Sequence, residues 1–181
     1  MNIVETSLPG VLILEPRVFA DERGFFLETY NQRVLAEKAG IVESFVQDNH
    51  SRSARNVLRG LHYQIQQAQG KLVRAISGSV MDVCVDIRRT SPSFARWVSV
   101  ELSAENKRMV WIPRGFAHGF LVKTDYAEVL YKTTDYWAPA HERTIAWNDP
   151  DLAIDWQLSG VPILSAKDSA GARLRDAEVF E

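Results

Sequence analysis

The stretch Leu72-Val73-Arg74-Ala75-Ile76-Ser77-Gly78-Ser79-Val80-Met81-Asp82-Val83-Cys84-Val85-Asp86-Ile87 reads as two strands joined by a tight reversal. Ser77-Gly78-Ser79 has hairpin chemistry, because glycine reaches backbone angles closed to other residues and serine hydroxyls satisfy turn amides. From Val80 onward the side chains alternate. Val80, Asp82, Cys84 and Asp86 share one face, while Met81, Val83, Val85 and Ile87 share the other, which is wholly apolar. Outward from this hairpin, Trp97 to Leu102, Arg108 to Ile112, His118 to Val122 and Glu128 to Thr133 are further short runs of β-branched and aromatic residues. Pro92, Pro113-Arg114-Gly115 and Thr124-Asp125 punctuate them. Short strands separated by turn signals predict an all-β protein, an antiparallel jelly-roll barrel that leaves few sheet edges open.

Helix is expected at one place in the first half, Asn31 to Ala39. Asn31 can cap it, Leu35 and Ala39 share a face, and Gly40 suits its end. Around Trp147-Asn148-Asp149-Pro150 and Asp155-Trp156 the composition predicts irregular chain with one or two short helices. No repeat or linker composition interrupts the sequence, so residues 1–181 are expected to form a single domain.

The charge balance, 21 basic against 23 acidic residues for a net −2, supplies no field to hold a nucleic acid or an anionic membrane. Small phosphates remain accessible to a local pair of arginines. The lone Cys84 is expected as a core thiol in a reducing compartment. Met1 to Gly10 lacks the pattern of a secretion signal and no run is long enough to cross a bilayer, so a cytoplasmic protein is expected.

His62, in Arg59-Gly60-Leu61-His62-Tyr63-Gln64, and Tyr131, in Tyr131-Lys132-Thr133-Thr134-Asp135-Tyr136, lie on separate strand-like segments. An imidazole changes charge near neutral pH and a phenol can return a proton to carbon, so the pair suits inversion of a carbon centre. His62 and Gln64 share a strand face, as do His118 and Phe120, but Arg59 has the wrong parity to join His62. A bulge at Gly60 would bring it round. His50 and His141 are expected at the surface.

Pro113-Arg114-Gly115-Phe116-Ala117-His118 is similar to the second motif of the cupins, which makes the expected jelly roll cupin-type. Metal-binding cupins carry two histidines one residue apart, and a glutamate after them. Here His62-Tyr63-Gln64 lacks the second histidine, and the nearest downstream acid, Asp82, lies beyond the Gly78 turn. Two imidazoles fall short of a catalytic ligand set, so no metal is expected.

Across nearly its whole length the chain resembles the dTDP-4-dehydrorhamnose 3,5-epimerase family. The resemblance is carried by Asp21-Glu22-Arg23-Gly24-Phe25-Phe26, Gln47-Asp48-Asn49, Leu58 to Gln64, Gly70-Lys71, Ile112 to Phe120, Tyr131 to Tyr136, Trp147 to Pro150 and Ala166-Lys167-Asp168. It implies a dTDP-linked 4-keto-6-deoxy sugar as substrate, proton removal and return alpha to the ketone, no cofactor, and a homodimer whose N-terminal strands add to the partner's sheet. By the same resemblance His62 is the base, Asp168 orients it, Lys71 faces the C4 oxygen and Tyr131 is the acid. Arg23 and Arg59 would hold the diphosphate. Gln47, Asn49 and Glu28 would make directional bonds to sugar or thymine, with Glu142 and Lys167 as further contacts and His118 near the sugar. An aromatic at Tyr136-Trp137 would stack on the base; family members commonly have two tyrosines there, so Trp137 is a departure.

Overall fold

The computed structural model describes residues 1–181. The strands, in chain order, are β1 (Asn2–Glu5), β2 (Leu12–Glu15), β3 (Val18–Asp21), β4 (Gly24–Leu27), β5 (Gln47–Ala54), β6 (Leu58–Gln64), β7 (Lys71–Ser77), β8 (Ser79–Asp86), β9 (Trp97–Ser103), β10 (Met109–Ile112), β11 (Phe116–Val122), β12 (Tyr126–Thr133) and β13 (Glu142–Thr144). Helix α1 (Gln32–Ala39) follows β4, and a single helical turn, α2 (Ala166–Ser169), lies near the C-terminus. The strands form a six-stranded sheet, β1-β2-β10-β7-β12-β5, a five-stranded sheet, β13-β6-β11-β8-β9, and the separate hairpin β3-β4. All strand pairings are antiparallel, as expected for a jelly roll.

The alternation in β8 sorts its side chains onto two different cores. Val80 and Cys84 point between the sheets, where they pack with Val73, Val110, Ile112, Phe116 and Phe120. Met81, Val83, Val85 and Ile87 point outward, and the wholly apolar face is therefore the outside of the barrel. It is covered by the C-terminal chain through Leu152, Trp156, Leu174 and Val179. The irregular composition after Trp147 thus corresponds to a strap, whose apolar residues bury the outer face of the five-stranded sheet. The strap is tied in by polar bonds as well: Asp149 accepts from Leu174 N–H at 2.6 Å, and Trp156 Nε1 donates to Trp147 O at 2.7 Å.

Helix α1 has the ends its sequence predicts. Asn31 sits in extended backbone as the N-cap and accepts from Val34 N–H, while Gly40 closes the helix in the left-handed conformation at φ 67°. Leu35 and Ile41 pack with Leu14, Leu72, Met109 and Trp111 on the outer face of the six-stranded sheet. The N-terminal strands β1 to β4 fall where the family resemblance implies N-terminal strands, whereas the polar strand β5 escapes a search for apolar runs. β5 alternates polar with polar, Gln47, Asn49, Ser51 and Ser53 pointing inward, and the first three of these line a cavity.

Candidate active site

One register shift decides which residues share the site. Between β11 and β6, His118 pairs with His62 and Phe120 with Arg59, so β6 carries one residue more than its partner. The extra residue is a bulge at Gly60-Leu61, and it rotates Arg59 onto the face of His62. Gly60 is required there: its φ is 120°, and a Cβ would lie 2.5 Å from Gly119 Cα and 2.7 Å from His118 O.

Arg59 and His62 then open, from the five-stranded sheet, into a cavity of 390 Å³ at one end of the barrel. Lys71 and Tyr131 reach the same cavity from the facing sheet, with Gln47, Asn49, His118, Trp137, Glu142 and Lys167 around its walls and mouth. The lining is mainly polar, which suits a charged, hydroxyl-rich ligand.

The strap delivers the partner of His62. Leu58 N–H donates to Ile163 O and Ile163 N–H to Asn56 O, so the strap runs beside the start of β6 before turning into α2. Ser165 caps that turn, accepting from Asp168 N–H at 3.1 Å. Asp168 is thereby held behind the imidazole, where His62 Nε2 donates to its Oδ1 at 2.5 Å. Gly60 N–H also donates to Oδ1 and Ser165 Oγ donates to Oδ2. Burial opposes the charge of Asp168, but the hydrogen bonds from His62 and Ser165 overcome it and hold the carboxyl down at about 2. Burial lowers the pKa of His62, against the hydrogen bond to Asp168, so the ring is neutral at neutral pH. Its Nδ1 has no protein partner. The arrangement is a neutral imidazole, fixed in tautomer by an ionised carboxylate, with its other nitrogen free.

Lys71 is buried, and burial brings its pKa down to about 8 against the pull of Asp82 and Glu142. The ammonium is still the main form at pH 7. Its one hydrogen bond to protein is a 3.5 Å approach to His62 O, which leaves most of its donors unused. Burial raises the pKa of Tyr131 and keeps its proton on, and its hydroxyl makes no bond to protein. Three groups therefore face the cavity with spare hydrogen-bonding capacity: a neutral imidazole, an ammonium and a phenol.

The other residues differ in how far they remain available. Arg59 spends only Nε, on Ser53 Oγ, leaving the rest of its guanidinium open. His118 donates to the fully buried Asp82 at 2.8 Å; the acid that the Gly78 turn separates in sequence is adjacent across β8 and β11. His62 and His118 thus each hold a carboxylate, and no group of three His, Cys, Asp or Glu is arranged to bind a metal. Lys167 and Glu142 pair with each other at 2.9 Å. Gln47 is largely committed to the protein, since its amide accepts from Trp137 N–H and donates to Asn49 Oδ1.

Besides Asp168, which stands behind His62, three residues expected at the site do not line this chain's cavity. Tyr136 is exposed and points away, leaving Trp137 as the aromatic at the mouth. Arg23 sits at the tip of the β3-β4 hairpin, paired with Asp21, and Glu28 follows the hairpin, bonded to Asn31. Both belong to an arm that projects from the barrel. Conversely, Ser51 lines the cavity with its buried hydroxyl unpartnered, and Gln64 lines it too. The every-other-residue polar pattern of β5 was the signal for Ser51.

The profile of the dTDP-4-dehydrorhamnose 3,5-epimerase family matches residues 5–176. The chain belongs to this family. It is similar to the dTDP-4-dehydrorhamnose 3,5-epimerase of Pseudomonas aeruginosa, with 63% identity over 180 residues that cover 99% of each chain. Among solved family structures, it superposes on dTDP-6-deoxy-D-glucose-3,5-epimerase from Legionella pneumophila, in complex with dTDP-4-keto-L-rhamnose, with a TM-score of 0.96. Identity there is 52%, over 98% of this chain and 94% of that one. A more distant match is ChmJ, a 3'-monoepimerase from Streptomyces bikiniensis in complex with dTDP-quinovose, at a TM-score of 0.88 and 33% identity over 94% and 86% of the two chains. The family drawn from the sequence motifs is thus the family found.

Proposed function

We propose that this chain, as one domain over residues 1–181, is a cofactor-independent 3,5-epimerase that converts dTDP-4-dehydro-6-deoxy-D-glucose into dTDP-4-dehydro-L-rhamnose, a precursor step for surface polysaccharide. The observation that carries this reading is the placement of His62 and Tyr131 on facing sheets around one cavity, with the Lys71 ammonium beside them. C3 and C5 of the sugar are both alpha to the C4 ketone. His62 takes the proton from one of these carbons, and the electron pair left behind moves onto the C4 oxygen as an enolate. Lys71 stabilises that negative charge as it develops, where a preorganised cation has the largest effect on the barrier. Tyr131 gives its proton to the opposite face of the same carbon, and the centre is inverted. Asp168 stabilises the imidazolium that forms on His62.

At the nucleotide end, the free guanidinium nitrogens of Arg59 suit paired phosphate oxygens. Trp137 is the platform for the thymine. The arm supports a homodimer: Phe25 and Phe26 are 62% and 69% exposed on it, more apolar surface than a lone subunit retains without reason. In that assembly the arm lies on the partner, and its Arg23 and Glu28 complete the partner's nucleotide site. No helix is long and apolar enough to cross a membrane, and a cytoplasmic enzyme fits the free buried Cys84.

Proton NMR of the sugar ring in heavy water tests the reading. Deuterium and inverted configuration are expected at both C3 and C5, and His62→Asn is expected to abolish both while dTDP still binds. Exchange at one carbon only would instead assign a mono-epimerase, as ChmJ is on the same fold. Tight nucleotide binding with no exchange at all would reduce the protein to a binding module.

A further inference from the structure

After β12 the chain passes from Asp135 to Ala138 without a strand beside it. Thr134 N–H still donates to Gly70 O, but no amide from Asp135 to Ala138 bonds to backbone. Side-chain amides take over. Gln69 Nε2 donates to Asp135 O at 2.9 Å. Gln64 Nε2 donates to Tyr136 O at 3.2 Å, and Gln64 Oε1 accepts from Ala138 N–H at 2.8 Å. From the opposite sheet, Gln47 Oε1 accepts from Trp137 N–H at 2.9 Å.

The pattern is that of a strand with a neighbour on each side. Gln64 offers one donor and one acceptor to the two residues flanking Trp137, which is what an adjacent strand would offer. Gln64 is only 4% exposed, and its remaining amide hydrogen goes to Gln67 O at 2.8 Å, so the group is committed to this task. Trp137 needs it. Its side chain is 59% exposed and has little packing to aim it, so the direction of the ring is set by its backbone.

We infer that Gln64 is a positioning residue that holds the Trp137 ring over the cavity mouth and thereby sets affinity for the nucleotide. The inference rests on the assignment of Trp137 as the base platform. Gln64→Met keeps length and volume and removes all the amide bonds.

Calorimetric titration of dTDP into the wild type, Q64M, W137A and the double variant tests it, alongside KM, kcat and melting temperature. Q64M is expected to weaken dTDP binding about tenfold, W137A at least as much, and the double variant no more than W137A, because an unaimed ring and a missing ring cost the same stacking. The fall in kcat/KM on the sugar nucleotide is expected mainly in KM. Gln64→Glu, which retains the acceptor for Ala138 N–H, is expected to recover part of the affinity. Wild-type affinity in Q64M while W137A binds weakly would overturn the inference, as would losses that add in the double variant, or a loss carried by kcat. Undiminished binding by W137A would remove the platform assignment itself. Should Q64M not fold, Gln69→Met, which frees only Asp135 O, is expected to weaken dTDP about threefold; no change would count against the clamp.

Discussion

Replacing Asp168 with asparagine separates the charge of this residue from its shape. Asparagine Oδ1 can still accept from His62 Nε2–H and Gly60 N–H, and Ser165 Oγ can turn to accept from the new amide, so the tautomer of His62 is preserved. What is lost is the negative charge beside the imidazolium. A hydrogen bond to a charged group contributes about 1.5–3 kcal/mol, which corresponds to a fall in kcat of between about tenfold and a hundredfold. Without the carboxylate His62 is also less basic, and the acid limb of the pH–rate profile is expected to move to lower pH, with dTDP affinity unchanged. Stability gives a second measure. The Asp168 pKa is depressed to about 2 from an ordinary 3.8, a difference equivalent to about 2 kcal/mol. Because the folded pKa is the lower one, this stabilisation is complete above the ordinary value and disappears as pH falls through about 2. Urea unfolding at pH 7 and pH 2 would therefore show the two proteins about 2 kcal/mol apart at the first and converging at the second. A D168N enzyme within threefold of wild-type kcat would refute the claim that Asp168 stabilises the charged imidazole.

Other perturbations address other parts of the argument. Lys71→Met is expected to lower kcat by about two to three orders of magnitude, as loss of an oxyanion partner does. In the wild type, activity is expected to decline as pH rises through about 8, where Lys71 loses its proton, so an alkaline limb absent near that value would remove the ammonium from the mechanism. Gly60→Ala introduces a Cβ 2.5 Å from Gly119 Cα at a residue with φ 120°, and is expected to destabilise the fold by about 2 kcal/mol or more and to weaken dTDP binding through Arg59. Thermal melts and titration check it; a stable variant with normal affinity would mean that the bulge does not aim Arg59. Paired aspartates at Phe25 and Phe26 are expected to yield monomers in analytical ultracentrifugation, with lower nucleotide affinity because Arg23 and Glu28 no longer reach a neighbouring site.

Much of this protein is written locally. The β8 alternation and the Asn31 and Gly40 helix ends depend on a residue and its immediate neighbours, and sequence alone determined them. The reversal at Ser77-Gly78-Ser79 was legible too, but it is not the hairpin expected: β7 and β8 lie in different sheets, so the turn is a corner between them, and only the pairing of each strand with distant partners decides that. The motif set determined the family and named His62, Tyr131 and Lys71, because chemistry of this kind admits few residue types. What tertiary structure decided involves distant partners. The bulge that returns Arg59 to the site exists because β6 must pair with β11 past Gly119. Asp168 reaches His62 from 106 residues away because the strap has to cover an apolar outer face. Gln47 reads as a ligand-facing amide in the sequence, yet is spent with Gln64 on the backbone around Trp137, and Arg23 leaves its own barrel on an arm. A side chain's type fixes what it can bond to; only packing of the whole chain fixes which partner it finds.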